Sequence, residues 1–243
     1  MPDRSVDVEA DDSVLVITIN RPESLNAIDR STSAQIHAAL DVLEGDERIR
    51  VGILTGVGRA FCAGSDIKEI RDRPAFADGL DKGNVTSITG RSIRKPLIAA
   101  VNGLAYGGGA ELVLSCDLAV ASAEAMFGLP EVKHGLVAAA GGLVRGPRQL
   151  PLKVVMDMAL TAEPISAQQA LTWGLVSRVA DDALAAALEM AHRIASLPGP
   201  AVMASKSVIY HGLDAFLSGD NSAWDRVEPE VMGVLMNRRP NPQ

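Results

Sequence analysis

The chain has 243 residues, 47% of them hydrophobic and 22% charged, and 23 Lys plus Arg against 30 Asp plus Glu give a formal charge of −7. This is globular composition, sufficient for one large domain or two small ones, and it excludes a disordered, collagenous or disulfide-stapled chain. With aromatics at 3% and no dense basic stripe, the sequence also argues against a nucleic-acid partner, which needs phosphate-neutralising cations and often stacking rings.

Met1 to Ser13 is acidic and lacks an apolar h-region, so no signal peptide is expected. Val14–Ile19 (VLVITI) is a β-branched run closed by Asn20-Arg21-Pro22 and reads as a strand. Ser31–Leu43 has helical apolar spacing, with Asp29 or Ser31 as its cap. Further strands are predicted at Val51–Leu54, Leu97–Val101, Cys116–Ala121 and Leu175–Val179. Helices are predicted at Asp66–Arg71, Val85–Arg94, Gly108–Ser115, Leu152–Thr161 and Ala167–Leu171. After Asp181 the pattern is helical only, over Asp181–Ser196, Pro200–His211 and Asp214–Met236. The expectation is an α/β core over residues 1–180, built on parallel sheet, followed by a helical region over 181–243. The most apolar stretch, Pro96–Leu114, is interrupted by Asn102, by glycines and by Glu111, so no membrane span is expected. Cys62 and Cys116 stand outside any CxxC or Cys/His ligand spacing. They read as small buried hydrophobes in a reducing, cytoplasmic compartment, with no metal site.

Several chemical motifs fail. Gly56-Val57-Gly58 follows a strand, but Phe61 replaces the third glycine of a dinucleotide fingerprint. There is no P-loop and no GxSxG elbow. Three segments remain. Phe61-Cys62-Ala63-Gly64-Ser65-Asp66-Ile67-Lys68 is a small-residue turn after a strand, able to present backbone N–H groups to developing negative charge, or simply a strand-to-helix turn with Asp66 as an early helix acid. Asn102-Gly103-Leu104-Ala105-Tyr106-Gly107-Gly108-Gly109-Ala110-Glu111 opens a helix with three glycines. They either admit a ligand to the helix N-terminus or allow tight helix–sheet packing, and Glu111 is either functional or a dipole-complementing surface acid. Phe127-Gly128-Leu129-Pro130-Glu131 places an acid in an apolar neighbourhood. Paired with Glu111 it would suit acid/base work near neutral pH; alternatively it pairs with Lys133 or Arg145.

Taken in order, these segments resemble the enoyl-CoA hydratase/isomerase (crotonase) family. The resemblance runs from Asn20-Arg21-Pro22 and Leu25-Asn26-Ala27 through FCAGSDIKE, PLIAAVNGLAYGGGAEL, CDLAVAS and FGLPE. It continues through Ile165–Ala170 and Trp173-Gly174-Leu175-Val176 to Asn237-Arg238-Arg239-Pro240.

The resemblance implies a crotonase-like (ClpP/crotonase) spiral of ββα units with a C-terminal helical trimerisation region. It implies an acyl-CoA substrate, no separate cofactor, and a homotrimer or dimer of trimers. The implied reaction is syn addition of water to a 2-enoyl-CoA through an enolate. The alternative is a related isomerisation or a specialised hydroxyacyl-CoA dehydration. Matched by position, the oxyanion-hole amides are those of Ser65 and Gly108. Glu111 activates the water and Glu131 delivers a proton to Cα. Glu23, Ser24 and Leu25, with Ala63, Asp66, Ile67 and Lys68, match the CoA-binding side. Lys68 is either a phosphate or adenine partner or an exposed helix lysine, and Arg238 and Arg239 either reach CoA phosphates or are solvated tail charges. Many hydratases carry a proline near Ala138 and this chain does not; the stretch from Arg71 to Arg94 is short and polar. By the resemblance, the first departure implies a changed acyl-pocket wall or loop stiffness, and the second falls in a region that helps form the acyl site, so chain-length preference does not carry over.

Overall fold

The computed structural model describes residues 4–66, residue 69, residues 85–218 and residues 232–234. Two sheets organise it. Strands β1 (Val6–Asp11), β2 (Val14–Ile19), β3 (Val51–Gly56), β5 (Leu97–Val101), β7 (Leu118–Ser122) and β10 (Arg178–Ala180) form a six-stranded sheet in that order. The short strands β4 (Ala60–Cys62), β6 (Leu104–Tyr106), β8 (Met126–Gly128) and β9 (Ile165–Ser166) form a second, four-stranded sheet. β3–β4, β5–β6 and β7–β8 each leave the first sheet for the second. The latter two lead to α3 (Gly108–Ser115) and, through a 3-10 turn at Pro130–His134, to α4 (Gly142–Gln149). These are the expected ββα units. The large sheet is parallel from β2 to β10. Only β1 runs antiparallel, joined to β2 through a two-residue turn in which Asp12 has φ 52°.

The layers follow from burial on both faces. β3 and β5 are buried along their length, as expected for parallel strands covered on both sides. One face packs into the main core with α1 (Arg30–Gly45), which contributes Ile36, Leu40 and Leu43. Asp29 is its N-cap, accepting the Thr32 N–H at 2.8 Å. The other face presents Val14, Val51, Ile53, Ile98 and Val120 to α7 (Ala183–Ala195). Ala183, Ala187, Ala191 and Ala195 line its buried side, so the helix backbone lies close to the sheet.

Several boundaries differ from the sequence reading. The Cys116–Ala121 strand begins at Leu118, because the Cys116 N–H still bonds the Leu112 and Val113 carbonyls as the cap of α3. The Leu175–Val179 strand shifts to Arg178–Ala180; Leu175 and Val176 are buried in the turn after α6 (Ala167–Trp173), folded back by bonds to the Ala170 carbonyl. The helix expected over Val85–Arg94 is α2, Val85–Thr89, and ends early. The Leu152–Thr161 helix is α5, as predicted. Pro200–His211 and the start of the next predicted helix are one helix, α8 (Gly199–Ser218). Most of Asp66–Arg71 and most of Asp214–Met236 lie outside the described residues.

α8 is tied to the core at Asp117 and at the Lys95 carbonyl, which accepts from Lys206 Nζ at 3.0 Å. Lys206 Nζ pairs with Asp117 Oδ2 at 2.6 Å, and the Tyr210 hydroxyl donates to Asp117 Oδ1 at 3.0 Å. The Leu97 N–H donates to the same carboxylate at 2.8 Å. No helix among the described residues is long and apolar enough to cross a membrane.

Candidate active site

Two asparagines set up the first half of the site. Asn26 is fully buried and sits at φ 58°, a region asparagine tolerates better than most residues. Its Nδ2 donates to the carbonyls of Val57 and Ala60, at 2.9 and 2.7 Å, and its Oδ1 accepts the Arg21 N–H at 2.9 Å. Asn102, at the β5–β6 corner, donates to Gly58 and Ala60 and accepts from Gly56. Together they fix the β3–β4 turn. The chain leaving β4 is then zipped to residues 25–28. The Ala63 N–H donates to Leu25 O at 3.0 Å, the Ile28 N–H to Gly64 O at 2.8 Å and the Asp66 N–H to Ile28 O at 2.9 Å. Ile28 pairs with Ser65 as a parallel bridge. Since Ile28 bonds residues 64 and 66, the Ser65 N–H points to the opposite side.

The start of α3 lies beside this segment. Gly64 has φ 96°, and a Cβ added there would lie 2.9 Å from the Gly108 nitrogen. The Ser65 and Gly108 segments are therefore adjacent. Gly108 opens α3, so its N–H is one of the helix's unpaired first-turn donors. Among the described residues, neither N–H has a backbone acceptor. The packing reading of the glycine run holds at Gly109, and Gly107 serves a neighbouring side chain. Gly109 is there for packing: a Cβ would fall 1.9 Å from Cys62 O. Gly107, with φ 55°, leaves room for a carboxylate, since a Cβ would lie 3.2 Å from Glu131 Oε1.

The second half is the pair of acids. Glu111, in the first turn of α3, is 3% exposed, so it is no surface acid. Its Oε1 accepts the Gly142 N–H at 2.8 Å. Glu131 follows β8 in the Pro130–His134 turn, and its Oε2 is buried with no hydrogen-bond partner. Lys133 donates to Ala162 O, and Arg145 donates to the Thr89 and Ala140 carbonyls; neither takes the pairing with Glu131 that the sequence left open. Burial pushes Glu111 up to about 7, aided by Glu131 and opposed by the amides of Gly142 and Ala140 and by Arg145. Burial also raises Glu131, against its own amide and His134. Both acids are thus raised above the ordinary carboxylate range by burial, and the Glu131 charge raises Glu111 further, so the two titrations are coupled. Such a pair can accept a proton at one carboxyl and release one at the other.

The Glu111 shift has a stability consequence. The folded carboxyl titrates above the unfolded one, so the protonated form favours folding below pH 4.5. That contribution disappears as pH rises through 7. Moving the carboxyl from 4.5 to about 7 corresponds to about 3 kcal/mol. Glu111→Gln is expected to stabilise the protein by about that amount at pH 8 and by little at pH 4. Denaturant unfolding at the two pH values measures this. An equal change at both would place the carboxyl in an ordinary, water-like setting.

The remaining predicted residues divide. Glu23 and Ser24 lie in the 3-10 turn Pro22–Ser24, and Leu25 follows it at φ 53°. The Leu25–Ala63 bond brings this turn to the Ala63–Asp66 segment. Arg21 pins the junction, pairing with Asp29 at 3.0 Å and Asp66 at 3.3 Å. Ile67, Lys68, Arg238 and Arg239 lie outside the described residues. Sequence reasoning singled out Gly107 with the other glycines but gave the Ala140–Gly142 bend no role towards Glu111, because the bend acts through backbone atoms. A cleft of about 1090 Å³ opens between α8 and the body, bordered by Thr89, Leu112, Arg145 and Tyr210. Neither glutamate lines it, so cavity size alone would point away from the paired acids. Among the described residues no cluster of metal-ligating side chains occurs.

The family model for enoyl-CoA hydratase/isomerase matches residues 9–220. The chain belongs to the enoyl-CoA hydratase/isomerase family. A mevalonyl-coenzyme A hydratase of Aspergillus fumigatus is 39% identical over 203 residues, covering 82% of this chain and 75% of that protein. A carnitinyl-CoA dehydratase of Proteus mirabilis is 40% identical over 200 residues, covering 81% and 76%. The crystal structure of an enoyl-CoA hydratase from Mycobacterium tuberculosis superposes with a TM-score of 0.88 at 38% identity, covering 97% of this chain and 92% of that one. The fold is thus the crotonase fold of this enzyme family.

Proposed function

We propose that the protein is an enoyl-CoA hydratase, adding water across the α,β double bond of a 2-enoyl-CoA. The observation that carries this reading is the unpartnered, buried oxygen of Glu131 close to Glu111 and to the adjoining Gly64–Gly108 backbone. In this reading the N–H groups of Ser65 and Gly108 donate to the thioester oxygen. They bind the enolate more strongly than the ground-state carbonyl, because more charge resides on that oxygen. Glu111 accepts a proton from water as its oxygen bonds to Cβ. Glu131 gives its proton to Cα, and the pair then returns to its starting protonation. Environment supports the division of roles. The Gly142 amide donates to Glu111 and favours its ionised form, whereas Glu131 Oε2 has no hydrogen-bond partner among the described residues.

CoA is proposed to lie along Glu23, Ser24 and Leu25 and the Ala63–Asp66 segment, with Ile67 and Lys68 continuing that side. Coenzyme A enters as part of the substrate, within acyl-group and fatty acid metabolism. Self-association as a trimer or a pair of trimers is supported by apolar side chains exposed on α4, α5 and α8, among them Val144, Leu160 and Ile209. A cytoplasmic setting is supported by the unpaired, buried Cys62 and Cys116. The relatives named mevalonyl-coenzyme A hydratase and carnitinyl-CoA dehydratase favour a second reading, a specialised hydroxyacyl-CoA dehydratase using the same groups in reverse.

The test is a panel of enoyl-CoA and 3-hydroxyacyl-CoA esters of varied length and branching, followed by mass detection in isotopically labelled water. Hydration consumes the conjugated-thioester absorbance and adds one solvent oxygen. Isomerised products without solvent oxygen, or CoA-ester binding without turnover, would overturn the reading.

A further inference from the structure

Arg145 lies on α4, just beyond the bend that carries Ala140, Gly141 and Gly142. Its guanidinium serves this bend. Nη2 donates to Thr89 O at 2.7 Å, and Nη1 reaches Ala140 O at 3.5 Å. Thr89 Oγ1 donates to the same Ala140 carbonyl at 2.6 Å. Gly141 adopts φ 106°, and a Cβ there would run into Arg145 Nη1, so the guanidinium lies directly over the bend. Among the described residues, no carboxylate lies within ion-pair distance of Arg145. The bend thus has two sides. One carbonyl is held by Thr89 and Arg145, while the Gly142 N–H donates to Glu111 at 2.8 Å and the Ala140 amide also favours the ionised carboxyl.

We propose that Arg145 is a positioning residue for Glu111: with Thr89 it locks the Ala140–Gly142 bend, whose amides hold the Glu111 carboxyl in its working orientation. This rests on the role proposed for Glu111 above. Freeing the bend would let those amides rotate, and removing the cation would withdraw a charge that favours the ionised carboxyl. The groups bearing on Glu111 are Glu131 from the Pro130–His134 turn and Arg145 from α4. His134 bears in turn on Glu131, and Tyr210 of α8 senses Arg145.

The test compares Arg145→Met, Arg145→Lys and Thr89→Val with the unaltered protein, using the enoyl-CoA of the panel that turns over fastest. Arg145→Met is expected to lower kcat by about tenfold to a hundredfold, with KM altered by less than about threefold. The acid limb of its pH profile should move to higher pH by about half a unit to one unit. Arg145→Lys should return the limb towards its original position while recovering only part of kcat, because one ammonium cannot reach both carbonyls as the fork does. Thr89→Val should lower kcat with a smaller displacement of the limb. Carboxyl ¹³C NMR, with Glu111 assigned through Glu111→Gln, reads the same displacement without turnover.

A merely structural role would lower Tm and leave the Glu111 titration where it was. Unaltered kcat and titration in Arg145→Met would overturn the proposal. If that variant does not fold, unaltered kcat and titration in Thr89→Val would do so. Full turnover in Glu111→Gln would instead remove the reading on which the proposal rests. An inactive Glu111→Gln beside unaffected Arg145 and Thr89 variants would overturn the positioning role alone.

Discussion

Glutamine at position 131 is expected to cut hydration by about 10²- to 10⁴-fold, the span of a general acid's contribution. The substitution keeps shape and removes only the proton that can be given to Cα. Glu131 Oε2 is buried and unpartnered, so an amide nitrogen there makes no new bond within the described site. The fold should therefore tolerate the change, and KM should move little, because the proposed CoA contacts lie elsewhere. The pH profile carries a second, independent signature. With Glu111 acting ionised and Glu131 acting protonated, the unaltered enzyme should give a bell. Burial raises both carboxyls, which moves that bell up from the ordinary carboxylate range towards neutrality. Glu131→Gln should lose the alkaline fall while keeping the acid rise. Steady-state rates from pH 5 to 9 measure both effects. Turnover equal to that of the unaltered protein would remove Glu131 from the proton path.

How much of this was legible in the sequence depends on what wrote the signal. β2, β3 and β5 announced themselves because each is an unbroken apolar run between turn residues, a consequence of burial on both faces. α7 was legible from its alanines, whose spacing of four is the face laid on the sheet. The second strands β4, β6 and β8 were not, since three residues carry no period and each is defined by its neighbour in another unit. β1 alternates Val6, Val8 and Ala10 with acids, a pattern hidden within what looked like an acidic leader. α4 was masked by Gly142, Gly146 and Pro147, residues that ordinarily break a helix.

The site divides the same way. Glu111, Glu131 and the glycines stood out as residue types, and the family resemblance supplied their suggested roles. The partners of Glu111 could not be read, because Ala140 and Gly142 act through amides that any residue possesses. Lys133 and Arg145 were plausible partners of Glu131 from proximity in the chain. The folded protein directs both to backbone carbonyls instead, and Glu131 Oε2 has no hydrogen-bond partner among the described residues.

Gly64→Ala is the other substitution with a large expected effect, and it acts without removing any functional group. At φ 96° an L-residue carries strain of about 1–3 kcal/mol. Relief by rotation is opposed, because Gly64 O accepts the Ile28 N–H at 2.8 Å while the Gly64 N–H faces Cys62 Sγ at 3.3 Å. The new methyl would lie 2.9 Å from the Gly108 nitrogen and 3.1 Å from Tyr106 O. Something must shift, and what stands nearest is backbone at the start of α3. The methyl would also crowd the space in which the thioester oxygen is proposed to meet Ser65 and Gly108. Loss of one oxyanion donor typically costs about 10²- to 10³-fold in kcat, so a fall of at least that size is expected, together with a lower Tm. Ser65→Ala is the contrast, for it keeps the main-chain N–H and should lose far less. If the two variants were equally active, with Gly64→Ala folded, the oxyanion would have to be held by groups other than these amides.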